Sequence, residues 1–243
     1  MNVTVMKLTA RGLLGRRRAL LLVILPLLLL GLAGLTRWAS DASPEASSIL
    51  ANNFSMGTLL PLMCLLVATG VIGAEIDDGS IVYMLAKPLK RRVILFSKLA
   101  VGFAAVFVFA VLPTMAGVAI AGDEGGELSL AYGLSAILAA IVYTAIFVTL
   151  GIVTRNAVVF GLLYALLWET VLGGYVPGIR AVSVRQWALS VGERLLGSRQ
   201  ADEWAFASEV GMTTGLIMLT LTTVGAVYLG VRKLSTLTLN SVE

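Results

Sequence analysis

Few side chains in this sequence have the chemistry that a catalytic or metal site needs. The chain contains no histidine, and its single cysteine, Cys64, lies within an apolar run. Histidine-based triads, HExxH zinc sites, haem ligation by imidazole and histidine proton relays are therefore excluded. The GxxxxGK[ST] phosphate loop is also absent, so any ATP dependence must come from a separate polypeptide. We expect no catalytic residue, no metal site and no cofactor bound by this chain.

Glu169 is the acidic residue set deepest in an apolar segment, which reads YALLWETVLGG. At the centre of a bilayer a carboxylate costs about 2.5 to 3.5 kcal/mol on insertion scales, so such residues are candidates for function. The apolar run ends a few residues later, which would place Glu169 near the outer headgroups at little cost. From the sequence, a functional intramembrane polar site and a structural role both stay open.

The elements that must position these residues are membrane helices. The chain is 58% hydrophobic and 13% charged, with a mean hydropathy of +0.93, outside the balance of a soluble domain. We treat residues 1–243 as a single all-α integral membrane domain and interpret its leucine-rich first run as a retained helix rather than a signal peptide. Six windows are long and apolar enough to span the bilayer: 19–36, 54–74, 98–121, 130–153, 157–176 and 209–231.

Positive charge lies beside the apolar runs, which favours contact with a membrane surface over nucleic acid. Thirteen of the 18 lysines and arginines lie in the segments 1–18, 75–98, 154–156 and 232–243. The other five lie in the connections that alternate with these segments along the chain. Because cytoplasmic flanks carry this excess, both termini are predicted to be cytoplasmic. We expect a multi-pass protein of a prokaryotic cell membrane, in contact with lipid.

Two segments outside the six runs show an amphipathic helical pattern. Within residues 1–18 an apolar stripe has basic residues along its edge, which predicts an interfacial helix on the inner membrane surface, with a disordered basic leader as the alternative. Its stripe consists of Val3, Met6, Ala10, Leu13 and Leu14. Between the fifth and sixth runs, a second stripe predicts an outer amphipathic helix that lies on or dips into the outer leaflet: Val184, Trp187, Ala188, Val191 and Leu195.

The connection from Glu75 to Lys98 is patterned rather than random. Asp77, Asp78 and Gly79 provide a polar start, and acidic side chains there favour a helix N-terminus. Pro88 interrupts the helical pattern before a basic cluster. The segment therefore predicts a short cytoplasmic helix that could dock into a groove of a soluble partner, or alternatively rest on lipid headgroups. Its apolar positions recur at helical spacing: Ile81, Val82, Leu85 and Leu89.

This connection resembles the corresponding loop of ABC-2 type permeases, the membrane subunits of a class of ABC transporters. Those permeases carry an acidic residue at the inner end of the second helix, then Gly-Thr, a leucine-containing stretch ending in proline, an arginine and a lysine opening the third helix. The six-helix layout, the basic leader and the segment beginning at Tyr175 are also similar. The matching positions in the loop are Glu75, Gly79-Ser80, Leu85-Ala86-Lys87-Pro88, Arg91 or Arg92, and Lys98, with Ser80 replacing the commoner threonine.

The resemblance implies a membrane domain that works as a pair, with a second copy or a related permease. Each member would bind an ABC ATPase subunit that holds ATP and Mg²⁺. Residues Ile81 to Leu89 would form a coupling helix that touches the ATPase, and Glu75, Arg91, Arg92 and Lys98 would fix its angle. Movement of the two halves would then alternately expose a central cavity, as in an exporter.

Two other functions remain alternatives. A self-sufficient ion-coupled secondary transporter should show paired intramembrane charges and broken helices, for which Glu169 and the prolines Pro26, Pro61 and Pro113 are the available features. An enzyme acting on lipid would need a nucleophile or metal cluster, which the sequence does not offer. A small-residue spacing, Gly211 and Gly215, also fits a contact with a second chain.

Overall fold

The computed structural model describes residues 3–13, 16–73, 91–123, 126–154, 156–172, 180–206 and 208–236, and these segments contain helices without any strand. The predicted all-helical membrane protein is confirmed. Five helices are long and apolar enough to cross a bilayer: Leu20–Ser40, Pro44–Val71, Arg92–Ala121, Glu127–Val153 and Met212–Leu234. A shorter apolar helix covers Ala157–Val171, so the sixth crossing stays a prediction.

The helical elements are named here in chain order. The α-helices are α1 Val3–Leu13, α2 Arg16–Ser40, α3 Pro44–Leu50, α4 Leu60–Ala68, α5 Arg91–Val106, α6 Leu112–Ala121, α7 Glu127–Val153, α8 Ala157–Leu162, α9 Val184–Leu196, α10 Ser198–Glu203 and α11 Met212–Thr236. Four π-helical segments interrupt the spans: π1 Ala51–Leu59, π2 Thr69–Gly73, π3 Phe107–Val111 and π4 Leu163–Leu172.

Helix α7 is the centre of the bundle. It packs against α4, α5, α6, α8, α9 and α11, and its small residues, such as Ala136, Ala139 and Ala140, are buried. Small side chains let neighbouring backbones approach closely where lipid supplies no hydrophobic driving force. Helices α2 and α11 lie at the periphery, since only 22% and 17% of their most apolar windows are buried inside the chain.

The second span begins at Pro44, earlier than the predicted window of 54–74. Its first turns are polar, which is why hydropathy alone places the start too late. Ser47 is buried and donates a hydrogen bond from Oγ to the carbonyl oxygen of Val118 at 3.2 Å. Such polar side chains are accommodated because they face other helices rather than lipid.

One end of the bundle is closed by polar contacts between connections. Arg37 at the end of α2 donates from Nη1 to the carbonyl oxygens of Ile120 and Gly122, at 3.2 and 3.4 Å, and from Nη2 to Asp123 at 3.0 Å. The carbonyls at the end of α6 thereby gain a cationic partner. Gln200 of α10 donates to Glu127 at the start of α7 at 3.0 Å. These contacts place residues 37–43, 122–123, 126–127 and 197–203 at the same end of the bundle.

Helix α9 is packed tightly between α7 and α11 at two glycines. A Cβ atom on Gly192 would lie 2.7 Å from the carbonyl oxygen of Ala131 in α7. A Cβ atom on Gly215 in α11 would lie 2.8 Å from the carbonyl oxygen of Trp187 in α9 and closer still to Ser190. Gly215 therefore faces the interior of this chain, so the close helix approach that the spacing suggested is made at Gly215 within this chain and not with a second one.

Gly211 and Gly215 give a matched test of the packing between α9 and α11. A Cβ on Gly211 would meet nothing within 4 Å, unlike one on Gly215. Because a backbone carbonyl cannot yield as a side chain can, Gly215→Ala should destabilise the protein by about 1–3 kcal/mol. Gly211→Ala should leave the thermal midpoint in detergent almost unchanged. Equal behaviour of the two variants would contradict the close approach of α9 and α11.

Candidate functional site

The predicted ATPase-coupling residues fall at the junction of the second and third spans. Glu75, Gly79, Ser80, Ile81, Val82, Leu85, Pro88 and Leu89 all lie outside the described residues. Arg91 is the first residue of α5, and the side chain of Arg92 is exposed. The structure therefore describes the two ends of the connection, π2 and α5, and the roles of the residues between them stay predictions.

Lys98 ties these two ends together. Its side chain is buried, with 2% of its surface exposed, and Nζ donates a hydrogen bond to the carbonyl oxygen of Val71 at 2.6 Å. Val71 belongs to π2, the last described segment before the connection. A charged donor forms a stronger hydrogen bond than a neutral one, especially away from water. The ammonium of Lys98 therefore fixes the position of α5 relative to the end of the second span.

The amphipathic helix α1 packs beside the same junction, against α5 and π2. Leu13 is buried, Met6 and Ala10 are partly buried against the core, and Leu8 is exposed as its position off the apolar stripe suggested. Thr9 is also buried, which the apolar pattern did not reveal. The leader is thus in direct contact with the elements that frame the predicted coupling segment.

Glu169 lies in a second polar region, which we call the Glu169 junction: Glu169, Tyr164 and Thr170 of π4, Ser183, Val184 and Arg185 at the start of α9, and Asn52 and Gly57 of π1. The carboxylate has no exposed surface. Its Oε1 accepts hydrogen bonds from the Tyr164 hydroxyl at 3.1 Å and from the backbone N–H of Val184 at 3.0 Å. Its Oε2 accepts one from Ser183 Oγ at 2.5 Å.

This arrangement makes Glu169 a cap on the N-terminus of α9. Val184 is the first residue of that helix, and its N–H has no partner within the helix. A negative charge at this position is also stabilised by the helix dipole. Glu169 is therefore satisfied by partners inside the protein, and proximity to the lipid headgroups is not needed to explain how the membrane tolerates it.

Arg185 is the second buried charge of the junction, with 4% of its surface exposed. Its Nη1 donates to the carbonyl oxygen of Asn52 at 3.2 Å. A Cβ atom on Gly57 would lie 2.7 Å from the same Nη1, so the guanidinium occupies the space that the glycine leaves open. Most of the predicted outer stripe is buried, and Leu195 is its one exposed member, but Arg185 and Gln186, which lie off the stripe, are buried as well.

Wide π-helical turns supply the backbone partners of this junction. Thr170 Oγ1 in π4 donates to the carbonyl oxygen of Gly57 in π1 at 2.9 Å, and π1 and π4 pack against each other. Two of the four π segments, π1 and π3, end directly before the pairs Leu60-Pro61 and Leu112-Pro113. Proline has no N–H to continue a helical ladder, and π segments are frequent at functional sites. Pro26, by contrast, lies inside the unbroken helix α2.

Several buried polar atoms near this region have no hydrogen-bond partner among the described residues, including Ser48 Oγ, Asn52 Oδ1 and the Tyr143 hydroxyl. The Tyr143 hydroxyl lies near the Glu169 carboxylate, outside hydrogen-bond geometry. Buried polar atoms of proteins are nearly always paired, so each exception calls for a physical reason. Within the described part of the chain, no group of histidine, cysteine, aspartate and glutamate side chains could hold a metal ion.

A comparison with known families decides the class of this membrane domain. The profile described as ABC-2 family transporter protein matches residues 14–172, which is more than half of the chain. The chain belongs to the ABC-2 transporter family. The predicted resemblance is thus confirmed, and the chain is a membrane transport component, a permease of the kind found in ABC transporters. Comparison with curated proteins gives no match.

Sequence reasoning identified Glu169 but missed most of the residues around it. Arg185 lies between two apolar runs, and because a Lys or Arg in such a connection normally faces water, the sequence does not mark it as buried. Tyr143 and Tyr164 were not singled out, because tyrosine in an apolar run is common in membrane helices. Ser48 and Asn52 precede the predicted second span, 54–74, so the hydropathy pattern places these two polar residues in a connection. In this ABC-2 permease the junction becomes apparent only when three distant segments are brought together.

The hydroxyl donors to Glu169 give a direct test of the cap. Ser183→Ala and Tyr164→Phe should each lower the free energy of unfolding by about 1.5–3 kcal/mol, because each removes a hydrogen bond to a buried charge. The control is Tyr228→Phe, whose side chain is 63% exposed on α11 and which should have no effect. Thermal unfolding in detergent measures all three. An unchanged midpoint for both junction variants would show that the carboxylate does not depend on these donors.

Proposed function

We propose that this chain is the permease subunit of an ATP-driven ABC exporter of a prokaryotic cell membrane. A separate ATPase subunit, carrying ATP and Mg²⁺, would close on ATP and push the coupling segment between the second and third spans. The observation that carries the proposal is the family match over residues 14–172. The ABC-2 family partners in general with ABC ATPase subunits.

The structure at the ends of the coupling segment supports this role. Force applied to a cytoplasmic segment reaches the membrane only if its flanking helices are held firmly. The Lys98 ammonium, hydrogen-bonded to Val71, provides such a tie between π2 and α5. Helix α1 packs against both π2 and α5, so it also contacts the two elements that flank the coupling segment. Motion of the coupling segment would thus move the second and third spans together.

The distribution of exposed charge supports the proposed orientation, with six spans and both termini in the cytoplasm. At the end of the bundle that carries α1 and the start of α5, the exposed charged side chains include Lys7, Arg92 and Lys233. The opposite end, defined by the Arg37 to Asp123 ion pair, has more exposed acidic than basic side chains among its described residues. A basic inner face and an acidic outer face are what the positive-inside rule favours.

Glu169 is the observation that favours the alternative, an ion-coupled secondary transporter. Such carriers use intramembrane carboxylates as ion or proton sites. Here, however, both carboxylate oxygens accept hydrogen bonds from Ser183, Tyr164 and the start of α9. This is a capping arrangement, and it supports a structural position for Glu169 within a permease. The family resemblance also supports the further parts of the proposal, which are export, alternating access and pairing with a second permease copy or a related permease.

Co-purification with an ATPase tests the proposed function. When the chain is expressed with the ABC ATPase encoded beside it, we expect the ATPase to co-elute with the wild type. Leu85→Asp places a charge on the predicted docking stripe and should reduce co-elution at least about tenfold, because a desolvated charge opposes the apolar contact. Tyr83→Asp adds the same charge off the stripe and serves as the matched control.

Two results would count against the proposal. If no ATPase binds the wild type, the permease role fails and the secondary transporter becomes the leading function, with Glu169 as the residue to test next. If Leu85→Asp and Tyr83→Asp retain the ATPase equally, the docking stripe is assigned wrongly even though the partner is right.

A further inference from the structure

Helix α9 is held to the rest of the chain by two different kinds of contact. On one side it packs closely along α7 and α11, with the glycines Gly192 and Gly215 at the points of nearest approach. On the other side it makes few close backbone approaches to π1 and π4. These three helices, α7, α9 and α11, form one tightly packed unit.

The contact of α9 with π1 and π4 is made by polar side chains. Glu169 of π4 accepts hydrogen bonds from Ser183 and from the backbone of Val184, both at the start of α9. In the opposite direction, Arg185 of α9 reaches the carbonyl oxygen of Asn52 in π1. π1 and π4 are in turn joined by Thr170 and by their own packing. We call this boundary the seam. It separates the unit of α7, α9 and α11 from π1 and π4, and a few strong hydrogen bonds cross it.

The inner halves of the same spans are joined differently. Helix α8, which continues into π4, packs against α7, and so do α4 and π2 from the second span. Opening the boundary near Glu169 therefore breaks hydrogen bonds that water can replace, whereas opening the inner half would break close apolar packing. If the two units separate, the outer half is the part that opens.

The closed seam also leaves polar atoms unsatisfied. The Tyr143 hydroxyl of α7 and Asn52 Oδ1 of π1 are buried without a hydrogen-bond partner among the described residues. Opening the seam to water would satisfy both atoms, which offsets part of the loss of the Glu169 bonds. Because hydrogen bonds to water replace part of those lost by Glu169, the junction can adopt two arrangements: closed, as observed, or open and hydrated.

We propose that Glu169 is a latch for the outer half of the permease. Its carboxylate holds the N-terminus of α9 against π4 in the closed arrangement, and its release lets π1 and π4 separate from the unit of α7, α9 and α11. The role of this opening in the transport cycle rests on the proposed function. The latch itself is a property of this chain and is tested without an ATPase.

The test measures how often the seam opens by cysteine labelling. Val184 is 1% exposed, and it contributes only its backbone to the latch, so Val184→Cys leaves the Glu169 bonds in place. The full-length chain, with Cys64→Ala as background, is placed in lipid nanodiscs so that a polar maleimide reaches both faces. Labelling of a buried cysteine follows the population of the open arrangement. Adding Glu169→Gln, which keeps the shape but removes the charge, should accelerate labelling at least about tenfold.

Two controls distinguish the latch from general loss of structure. Glu193→Gln removes a carboxylate from the same helix away from the junction and should leave the labelling rate unchanged. Leu196→Cys is a probe at the far end of α9, where 6% of the leucine is exposed, and it should stay protected when Glu169→Gln is present. Unchanged labelling of Val184→Cys in Glu169→Gln would overturn the proposal. Equal acceleration at Val184→Cys and Leu196→Cys would also overturn it, because α9 would then have unfolded rather than released its N-terminus.

Discussion

A carboxylate buried in a membrane domain must find its hydrogen-bond donors inside the protein, and the packing of π1, π4 and α9 in this permease is organised around that requirement. Glu169 obtains its donors from its own π-helical segment and from the start of α9. To supply them, the segment before the last span has to return into the bundle rather than lie on the membrane surface. The glycines Gly192 and Gly215 make this return possible, since they let α9 fit between α7 and α11.

The contact between the second and third spans follows a similar logic with the opposite charge. Lys98 is buried and donates to a backbone carbonyl of π2, where the second span ends. One buried cation therefore ties the third span to the end of the second span, and one buried anion ties the fifth apolar segment to the start of α9. Between them, the central helix α7 is lined with small residues and carries most of the apolar packing.

Hydropathy predicted the all-helical membrane class and the approximate place of five spans, because a helix that crosses the bilayer needs an apolar run of about 20 residues and soluble domains rarely contain one. It failed where polar residues are satisfied by the protein instead of water. The start of the second span is an example: Ser47 and its polar neighbours looked like a connection, yet Ser47 is buried against the third span. Arg185 is another, since its environment is created by Asn52 and Gly57, more than a hundred residues away in the chain.

Glu169 was singled out from the sequence because a carboxylate in an apolar run is costly, but its partners could not be inferred. Ser183 and the N-terminus of α9 come after a separate stretch of chain, and only the folded arrangement brings them to the carboxylate. The loop that carried the family resemblance shows the reverse situation. Its short motifs identified the ABC-2 class, which the family match over residues 14–172 confirmed, while the roles of Ile81 to Leu89 remain predictions.

The composition of the intact complex tests the central claim most directly. Native mass spectrometry of the chain, extracted from its own membrane without crosslinking, weighs the complete assembly. A permease subunit of an ABC exporter should appear in a particle that contains two membrane chains and two ATPase subunits. A particle that contains this chain alone, without any ATPase under conditions that preserve other membrane complexes, would contradict the account.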